Sequence, residues 1–234
     1  MLPVMHNTCD RQHIDYDYAV VRKPWGYEYL MYQNDKVGLW VLHLSPGAST
    51  SLHCHPRKKT GLVLLSGEAH LSYLNDGVHL KPLDRVMIRP GLFHSTKAVS
   101  PDGIVLLEIE TPRDKENLVR LEDAYGREAK PYEGIEADEP LMPDALKLSI
   151  PQPGEEVGHT FRGCQLRLGN WSDLTQLDQV DPSCVLMLLD GGLFSKEGEP
   201  ILAAGDVVTP QTLSRLAKSF SAPYGIQILI ISRP

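Results

Sequence analysis

Cysteine is sparse in this chain and forms no recognisable redox or metal-binding pattern. The four cysteines lie far apart, with no pair at the CxxC spacing. The first residues include His6, Asp10 and Arg11 where a cleavable signal peptide would have an apolar run, so no signal peptide is expected. We therefore expect a cytoplasmic protein with reduced thiols at Cys9, Cys54, Cys164 and Cys184.

Long apolar runs and an excess of positive charge are also missing. No stretch approaches the about 18 uninterrupted apolar residues that suggest a membrane-spanning helix, so no membrane partner is expected. The 23 Lys and Arg residues against 30 Asp and Glu residues give a formal net charge of -7. A nucleic acid would have to bind against this overall field, so we expect no nucleic-acid partner.

Glycine and proline, by contrast, are plentiful, with 19 and 18 residues, and they separate short apolar segments. The apolar runs at 37–44, 61–65 and 104–109 are followed by turn signals, and the Asn-Asp-Gly sequence at 75–77 predicts a hairpin turn. Strands of about four to eight residues at this spacing predict an all-β, antiparallel fold. Helical periodicity is scarce, and residues 114–128, with a partial apolar stripe, are the best candidate for a helix.

The composition changes along the chain and predicts three parts. Residues 1–130 are expected to form a first β unit, a sandwich or a barrel, residues 131–158 a connector rich in Pro, Glu and Asp, and residues 159–234 a smaller β unit. A weak echo of residues 83–90 at 205–210 suggests an internal duplication. The unpaired edge strands of such a unit could pair with a second copy of the chain, so a homodimer is one assembly that the sequence allows.

Two histidines in one short strand and a third after a turn form a candidate metal site. His53 and His55 occupy positions i and i+2, so on an extended strand both imidazoles project to the same face. His94 follows a Pro-Gly turn and could supply a third ligand. Imidazole nitrogen suits one divalent transition metal such as Zn, Mn, Fe or Ni. The alternative is a polar strand face without a metal, because two alternating histidines do not by themselves define a site.

The spacing around these histidines resembles the two motifs of the cupin superfamily. The chain reads Gly-x5-His-x-His-x11-Gly over residues 47–67, followed by Gly-x2-His over residues 91–94. The resemblance implies a cupin-type antiparallel β-barrel, or jelly roll, with a metal inside. Together with the weak internal repeat it implies a bicupin whose second unit is degenerate.

A narrower resemblance covers residues 21–127. The Pro-Trp-Gly sequence at 24–26 and the Asp-x-Tyr-Gly-Arg sequence at 123–127 are similar to the isomerase domain of type II phosphomannose isomerases, a domain often fused to mannose-1-phosphate guanylyltransferase. The guanylyltransferase portion has no counterpart here. The resemblance implies a mannose-6-phosphate isomerase-like enzyme that interconverts an aldose and a ketose, with a sugar phosphate as its small-molecule substrate.

The predicted ligand set departs from that family. Its Gln-x-His-x4-Glu pattern is His53-Cys-His55-x4-Thr60 in this chain, so Thr60 stands at the carboxylate position. Three neutral imidazoles would leave a bound ion with its full charge of about +2, which makes it a stronger Lewis acid and more attractive to anions. Alternatively, Glu108 or Glu110, which share one face of a strand, could point inward and replace the carboxylate. The alternative is that both glutamates face solvent or form ion pairs, as charged residues in strands usually do.

Isomerisation requires a base with a pKa near neutral and an electrophile for the carbonyl oxygen. The candidate catalytic residues are Lys58, Glu108 and Glu110. Candidate substrate-binding residues are Arg57, Arg120 and Arg127, of which the last two match family positions; guanidinium groups bind phosphate through two parallel hydrogen bonds, but they also form surface ion pairs.

Three functions therefore compete. The leading one is a metal-dependent isomerase acting on a sugar or sugar phosphate. The second is a non-haem iron dioxygenase with a three-histidine site, because imidazoles also hold iron with open positions for substrate and dioxygen. The third is a non-catalytic sugar-binding or regulatory bicupin, in which Thr60 marks the loss of turnover.

Overall fold

The computed structural model describes residues 16–132 and 138–234. Short 3-10 turns lie at Tyr16–Tyr18 and Thr175–Gln179. The strands up to residue 140 are β1 (Ala19–Lys23), β2 (Gly26–Gln33), β3 (Gly38–Leu44), β4 (Leu52–Cys54), β5 (Lys59–Ser66), β6 (Ala69–Ser72), β7 (Gly77–Leu80), β8 (Arg85–Ile88), β9 (Ser95–Ala98), β10 (Ile104–Thr111), β11 (Val119–Glu122) and β12 (Asp138–Pro140). The remaining elements are β13 (Glu156–Phe161), β14 (Cys164–Trp171), β15 (Val185–Phe194), β16 (Pro200–Ala203), β17 (Val207–Val208), helix α1 (Pro210–Ala217) and β18 (Ile226–Ser232).

The first unit consists of two antiparallel layers that face each other. One layer is a seven-stranded sheet in the order β12-β1-β2-β3-β10-β5-β8. The other contains the three-stranded sheet β7-β6-β9 and the pair β11-β4, and a bridge between His53 and His94 joins these two pieces. The predicted all-β antiparallel fold is confirmed, and the predicted hairpin at 75–77 joins β6 to β7.

Strand β10 shows how the sequence places side chains on the two faces of the large sheet. Ile104 and Leu106 belong to the apolar cluster between the layers, whereas Val105, Leu107 and Ile109 face the second unit. Because side chains alternate along a strand, the next inward positions are those of Glu108 and Glu110. A sheet that is covered on both faces has nearly continuous apolar strands, so two carboxylates in such a strand require a local explanation.

The second unit packs against the outer face of the large sheet. It forms a six-stranded sheet in the order β13-β14-β18-β15-β16, with β17 also paired to β15. Leu166, Met187 and Leu229 share one apolar cluster with residues of the first unit, while the opposite face of this sheet is covered by α1. Polar contacts add to this interface, among them the ion pair of Lys59 and Asp206 at 2.6 Å.

The predicted division into 1–130, 131–158 and 159–234 stays a prediction, as does the interpretation of the last part as a degenerate second cupin. Within the segment predicted to be a connector, β12 pairs with β1 in the first sheet, and β13 begins at Glu156. This segment therefore contributes a strand to the first unit and the start of another to the second.

The prediction of a helix over residues 114–128 is wrong. This segment instead contains β11, which pairs with β4. Val119 and Leu121 are each 48% exposed, while Arg120 between them is buried, so the side chains alternate with a period of two. The apolar residues that suggested a helical stripe thus lie on the outside of a strand. Among the described residues, no helix has the length and apolar character needed to cross a membrane.

Candidate metal centre

Three histidines from two separate segments come together between the layers. His53 lies in β4, His55 follows this strand directly, and His94 directly precedes β9. The backbones of His53 and His94 exchange two hydrogen bonds of 3.0 and 2.8 Å, which fixes the two segments side by side. One nitrogen of each of the three rings lies within 4.8 Å of the others. The predicted convergence of these imidazoles is therefore confirmed.

Each imidazole is held in one orientation by a backbone carbonyl. The Nδ1 atoms of His53, His55 and His94 lie 2.8, 2.8 and 3.0 Å from the carbonyl oxygens of Ser51, Asn117 and Leu92, respectively. A carbonyl oxygen can only accept a hydrogen bond, so each Nδ1 carries the proton and each Nε2 keeps its lone pair. The Nε2 atom of His55 is buried and has no hydrogen-bond partner among the described residues. Three such lone pairs fit one divalent transition metal ion.

Burial keeps the three rings neutral, which is the form that binds metals. It lowers the pKa of His55 to about 2, helped by the charge of Lys58. It lowers the pKa of His94 to about 4 and that of His53 well below its usual value, where the neighbouring histidines add to the effect. Protonation therefore competes little with metal binding near neutral pH.

The lowered pKa of His94 predicts a loss of stability in acid. The unfolded chain takes up a proton near pH 6.5, whereas the folded ring resists protonation down to about 4, so the free energy of unfolding falls as the pH falls through this range. In urea unfolding with EDTA between pH 7 and 4, His94→Gln should flatten this dependence by about 1.4 kcal/mol per pH unit. An equally steep dependence in wild type and variant would contradict the assigned burial of a neutral ring.

A cavity that opens to solvent lies beside the histidines. Its wall carries more positive than negative side chains. Among the described residues, five cationic side chains line it and two carboxylates do, those of Glu28 and Glu108. Trp25 and Tyr132 add aromatic surface. The cationic residues are Lys23, Lys58, Lys115, Arg120 and Arg127.

The two glutamates of β10 both point inward, and they have different surroundings. Glu110 forms a buried ion pair with Lys58 and accepts a hydrogen bond of 3.1 Å from Nε1 of Trp40. Lys58 also donates to the carbonyl oxygen of Asp114 at 3.1 Å. Glu108 instead lines the cavity. Burial raises the pKa of Glu108, and the positive charge of Lys115, 3.7 Å from its Oε1 atom, opposes this only in part.

Lys115 connects Glu108 to a second buried carboxylate, and neither Lys115 nor Glu28 was among the predicted site residues. The Nζ atom of Lys115 lies 3.3 Å from Oε1 of Glu28 and 3.7 Å from the centre of the Trp40 ring. Burial lowers the pKa of Lys115, but the surrounding carboxylates raise it above its usual value overall. The ammonium group therefore stays charged.

Glu28 is the most strongly stabilised anion of the cavity wall. Burial raises its pKa, but Lys115, Lys23 and a hydrogen bond from the Tyr132 hydroxyl group together lower it to about 2. Lys23 itself lies 3.6 Å from Glu28 and 3.6 Å from the centre of the Tyr132 ring. The sequence did carry a signal for Glu28, since it occupies the same face of β2 as Leu30, which packs between the layers.

The predicted phosphate-binding arginines are placed differently from one another. Arg120 and Arg127 both line the cavity. Arg127 forms an ion pair of 2.7 Å with Asp123, and Arg120 donates to the carbonyl oxygen of Lys130 at 2.8 Å. Arg57 does not belong to the cavity wall, because its exposed side chain pairs with Asp114 at the surface.

Thr60 occupies the position where a carboxylate was expected from the family pattern. It is fully buried on β5, opposite Glu110, and its hydroxyl group has no hydrogen-bond partner among the described residues. The three-residue cluster that could hold a metal ion consists of histidines alone.

No protein-family model and no curated protein matches this chain. Solved structures with a similar fold include a protein from Klebsiella pneumoniae with a double-stranded β-helix domain, which has 19% identity, a TM-score of 0.38, and coverage of 47% of this chain and 90% of the other. The cupin domain of Cnp3 from Schizosaccharomyces pombe has 12% identity, a TM-score of 0.35, and coverage of 36% and 63%.

A putative sugar phosphate isomerase from Acidithiobacillus ferrooxidans has 26% identity, a TM-score of 0.32, and coverage of 34% of this chain and 52% of the other. These likenesses concern less than half of this chain, and their TM-scores are low. They carry no argument about the activity of this chain.

Proposed function

We propose that the first unit is a cupin-type barrel that binds one divalent transition metal ion through His53, His55 and His94 and acts on a small anionic sugar. The observation that carries this proposal is the orientation of the three rings, each of which directs an unprotonated Nε2 atom away from the carbonyl that holds Nδ1. Three neutral ligands leave the charge of the ion uncompensated, so an anionic group of the substrate is an attractive further ligand.

The cavity supports an anionic small-molecule substrate. It is a concave space lined by apolar, aromatic and charged side chains, a combination typical of small-molecule sites. Arg120 and Arg127 line this space, and their positive charges would attract a phosphate group. A sugar phosphate is therefore the substrate class that we propose, with its phosphate toward these arginines.

The reaction that we propose is an aldose–ketose isomerisation. Glu108 is the candidate base, because it lines the cavity and burial raises its pKa toward the range useful for proton transfer. In its ionised form it would take the proton from one carbon of the substrate and return it to the neighbouring carbon, while the hydroxyl proton passes between the two substrate oxygens. A metal ion at the histidines would supply Lewis-acid polarisation of the substrate oxygen. Lys58 and Glu110 are paired with each other, so we assign them a structural role.

A direct test is to remove one ligand. We expect His55→Ala to lose the bound metal, because two of the three imidazoles no longer form a complete set, and to lose deuterium exchange at C1 and C2 of hexose phosphates. Metal content is measured by mass spectrometry after loading and desalting, and exchange by NMR in D₂O. His70→Ala is the matched control, since this exposed histidine lies in β6, outside the cluster. Retained exchange in His55→Ala would reject the isomerase.

The same samples distinguish the competing functions. A three-histidine site without a carboxylate ligand also suits iron, so oxygen consumption that depends on added Fe(II) would favour the dioxygenase. Tight binding of a hexose phosphate without deuterium exchange would favour a non-catalytic sugar-binding protein. The buried Thr60 at the expected carboxylate position is the feature that motivates this second comparison.

A further inference from the structure

The segment between β10 and residue 132 forms one side of the metal-site cavity. We call residues 112–132 the strap. Its strand β11 pairs directly with β4, which places Arg120 opposite the metal-ligand candidate His53. The strap also provides five residues of the cavity wall, namely Lys115, Leu118, Arg120, Arg127 and Tyr132. The position of the strap therefore sets the position of most of the positive charge in the cavity.

Asn117 joins the strap to the segment that carries His55. Its carbonyl oxygen accepts the Nδ1 hydrogen bond of His55 at 2.8 Å. Its side-chain Oδ1 atom accepts the backbone N–H of Arg57, also at 2.8 Å. Its own N–H donates to the carbonyl oxygen of Asp114 at 3.1 Å. Asn117 and His55 are both buried, so the bond between them is shielded from water.

We propose that Asn117 is a positioning residue for the metal ligand His55 and that it couples metal binding to the position of the strap. This inference rests on the proposed metal site. The side-chain bond to Arg57 holds residue 117 at a fixed place beside His55, so the carbonyl oxygen is always available to the Nδ1 proton. Without that bond the carbonyl moves, and the ring is free to carry its proton on Nε2, where it blocks coordination.

The coupling works in both directions. If the position of the strap stabilises the bound metal, the bound metal stabilises that position of the strap by the same free energy, because linkage is reciprocal. Arg120 and Arg127 belong to the same segment as Asn117, so a loaded metal site and a correctly placed pair of arginines occur together. The cavity would then present its positive charge to a substrate chiefly when the metal is bound.

The test compares Asn117→Ala with Asn117→Asp. Alanine removes the acceptor for the Arg57 N–H, whereas aspartate keeps an oxygen at the same place. We expect Asn117→Ala to weaken Zn²⁺ binding by about 10- to 100-fold, the usual effect of removing a group that orients a metal ligand, and Asn117→Asp to stay close to wild type. Affinity is measured by competition with a chromophoric chelator. Asn117→Ser, whose hydroxyl group is shorter, is the milder variant should alanine prevent folding, and an intermediate loss is expected for it.

Asn170→Ala is the matched control for a general loss of stability. Asn170 lies in β14 of the second unit, and its side chain also bonds to a loop backbone, donating 3.0 Å to the carbonyl oxygen of Pro151. We expect its Zn²⁺ affinity to equal that of wild type. A loss of affinity as large as that of Asn117→Ala would overturn the specific role of Asn117.

A second measurement uses the metal-free protein. Imidazole ¹⁵N spectra should show His55 protonated on Nδ1 in wild type and in Asn117→Ala a mixture that includes the form protonated on Nε2. Unchanged Zn²⁺ affinity with an unchanged His55 spectrum in Asn117→Ala would overturn the inference while leaving the metal site intact. Failure of wild type to bind any of the four candidate metals would instead refute the proposed function, and the coupling with it.

Discussion

Replacing Lys58 with methionine is expected to lower the free energy of unfolding by about 3–5 kcal/mol, the usual cost of leaving one partner of a buried ion pair alone. The side chains of Lys58 and Glu110 are each only 1% exposed. In the variant, the Glu110 carboxylate keeps its hydrogen bond from Trp40 but has lost its counter-ion in a place that water does not reach. Urea unfolding in the presence of EDTA measures this loss separately from any change in metal binding.

Two variants make this result specific. Lys59→Met breaks the neighbouring ion pair with Asp206, whose side chains are 28% and 21% exposed, and should cost no more than about 1 kcal/mol because solvent screens such a pair. The double variant Lys58→Met with Glu110→Leu should recover most of the stability, since an apolar pair often replaces a buried ion pair without loss. If Lys58→Met were as mild as Lys59→Met, the pair would not be buried as described.

Replacing Glu108 with glutamine is expected to slow deuterium exchange into a hexose phosphate by about 10²- to 10⁴-fold, the usual contribution of a general base. Glutamine has nearly the same shape and cannot accept the proton. The KM value and the metal content should change little, because Glu108 is not one of the clustered metal ligands. In the wild type, exchange should fall with decreasing pH from above the usual range of a glutamate, since burial raises the pKa of this carboxyl group.

Glu68→Gln is the control for this second experiment. Glu68 is exposed and bonds to His79 at 2.9 Å, outside the cavity, so the same substitution there should leave exchange unchanged. Exchange by Glu108→Gln at nearly the wild-type rate would show that another group moves the proton. The isomerase proposal would then lose its base while the metal site would stand.

Local sequence patterns were sufficient for much of the fold and for the histidine cluster. Short apolar runs between turns predicted the strands, because alternation and turn chemistry are local properties. His53 and His55 were found because their spacing matches the period of a strand. The sequence does not decide whether Glu108 and Glu110 point inward or outward from β10. A carboxylate in a strand points outward in most proteins, and it points inward only where a cation from another segment pairs with it.

What the sequence did not predict depends on contacts between distant segments. Lys115 reaches Glu28 and Glu108 from a stretch whose composition suggested a surface helix, and no local pattern indicates such a meeting. Asn117 acts through its backbone carbonyl, which every residue possesses. Arg57 was predicted at the substrate because it follows the ligand motif, but the turn after Pro56 directs it to the surface.

The large sheet is covered on both of its faces, so the first unit depends on the second to cover its outer face. Val105, Leu107 and Ile109 on one side of β10 are sheltered by residues 156–234, while Glu108 and Glu110 on the other side face the candidate site. A chain shortened before β13 would leave a broad apolar surface open to water and prone to self-association. The second unit thus shelters an apolar face of the unit that carries the histidine cluster.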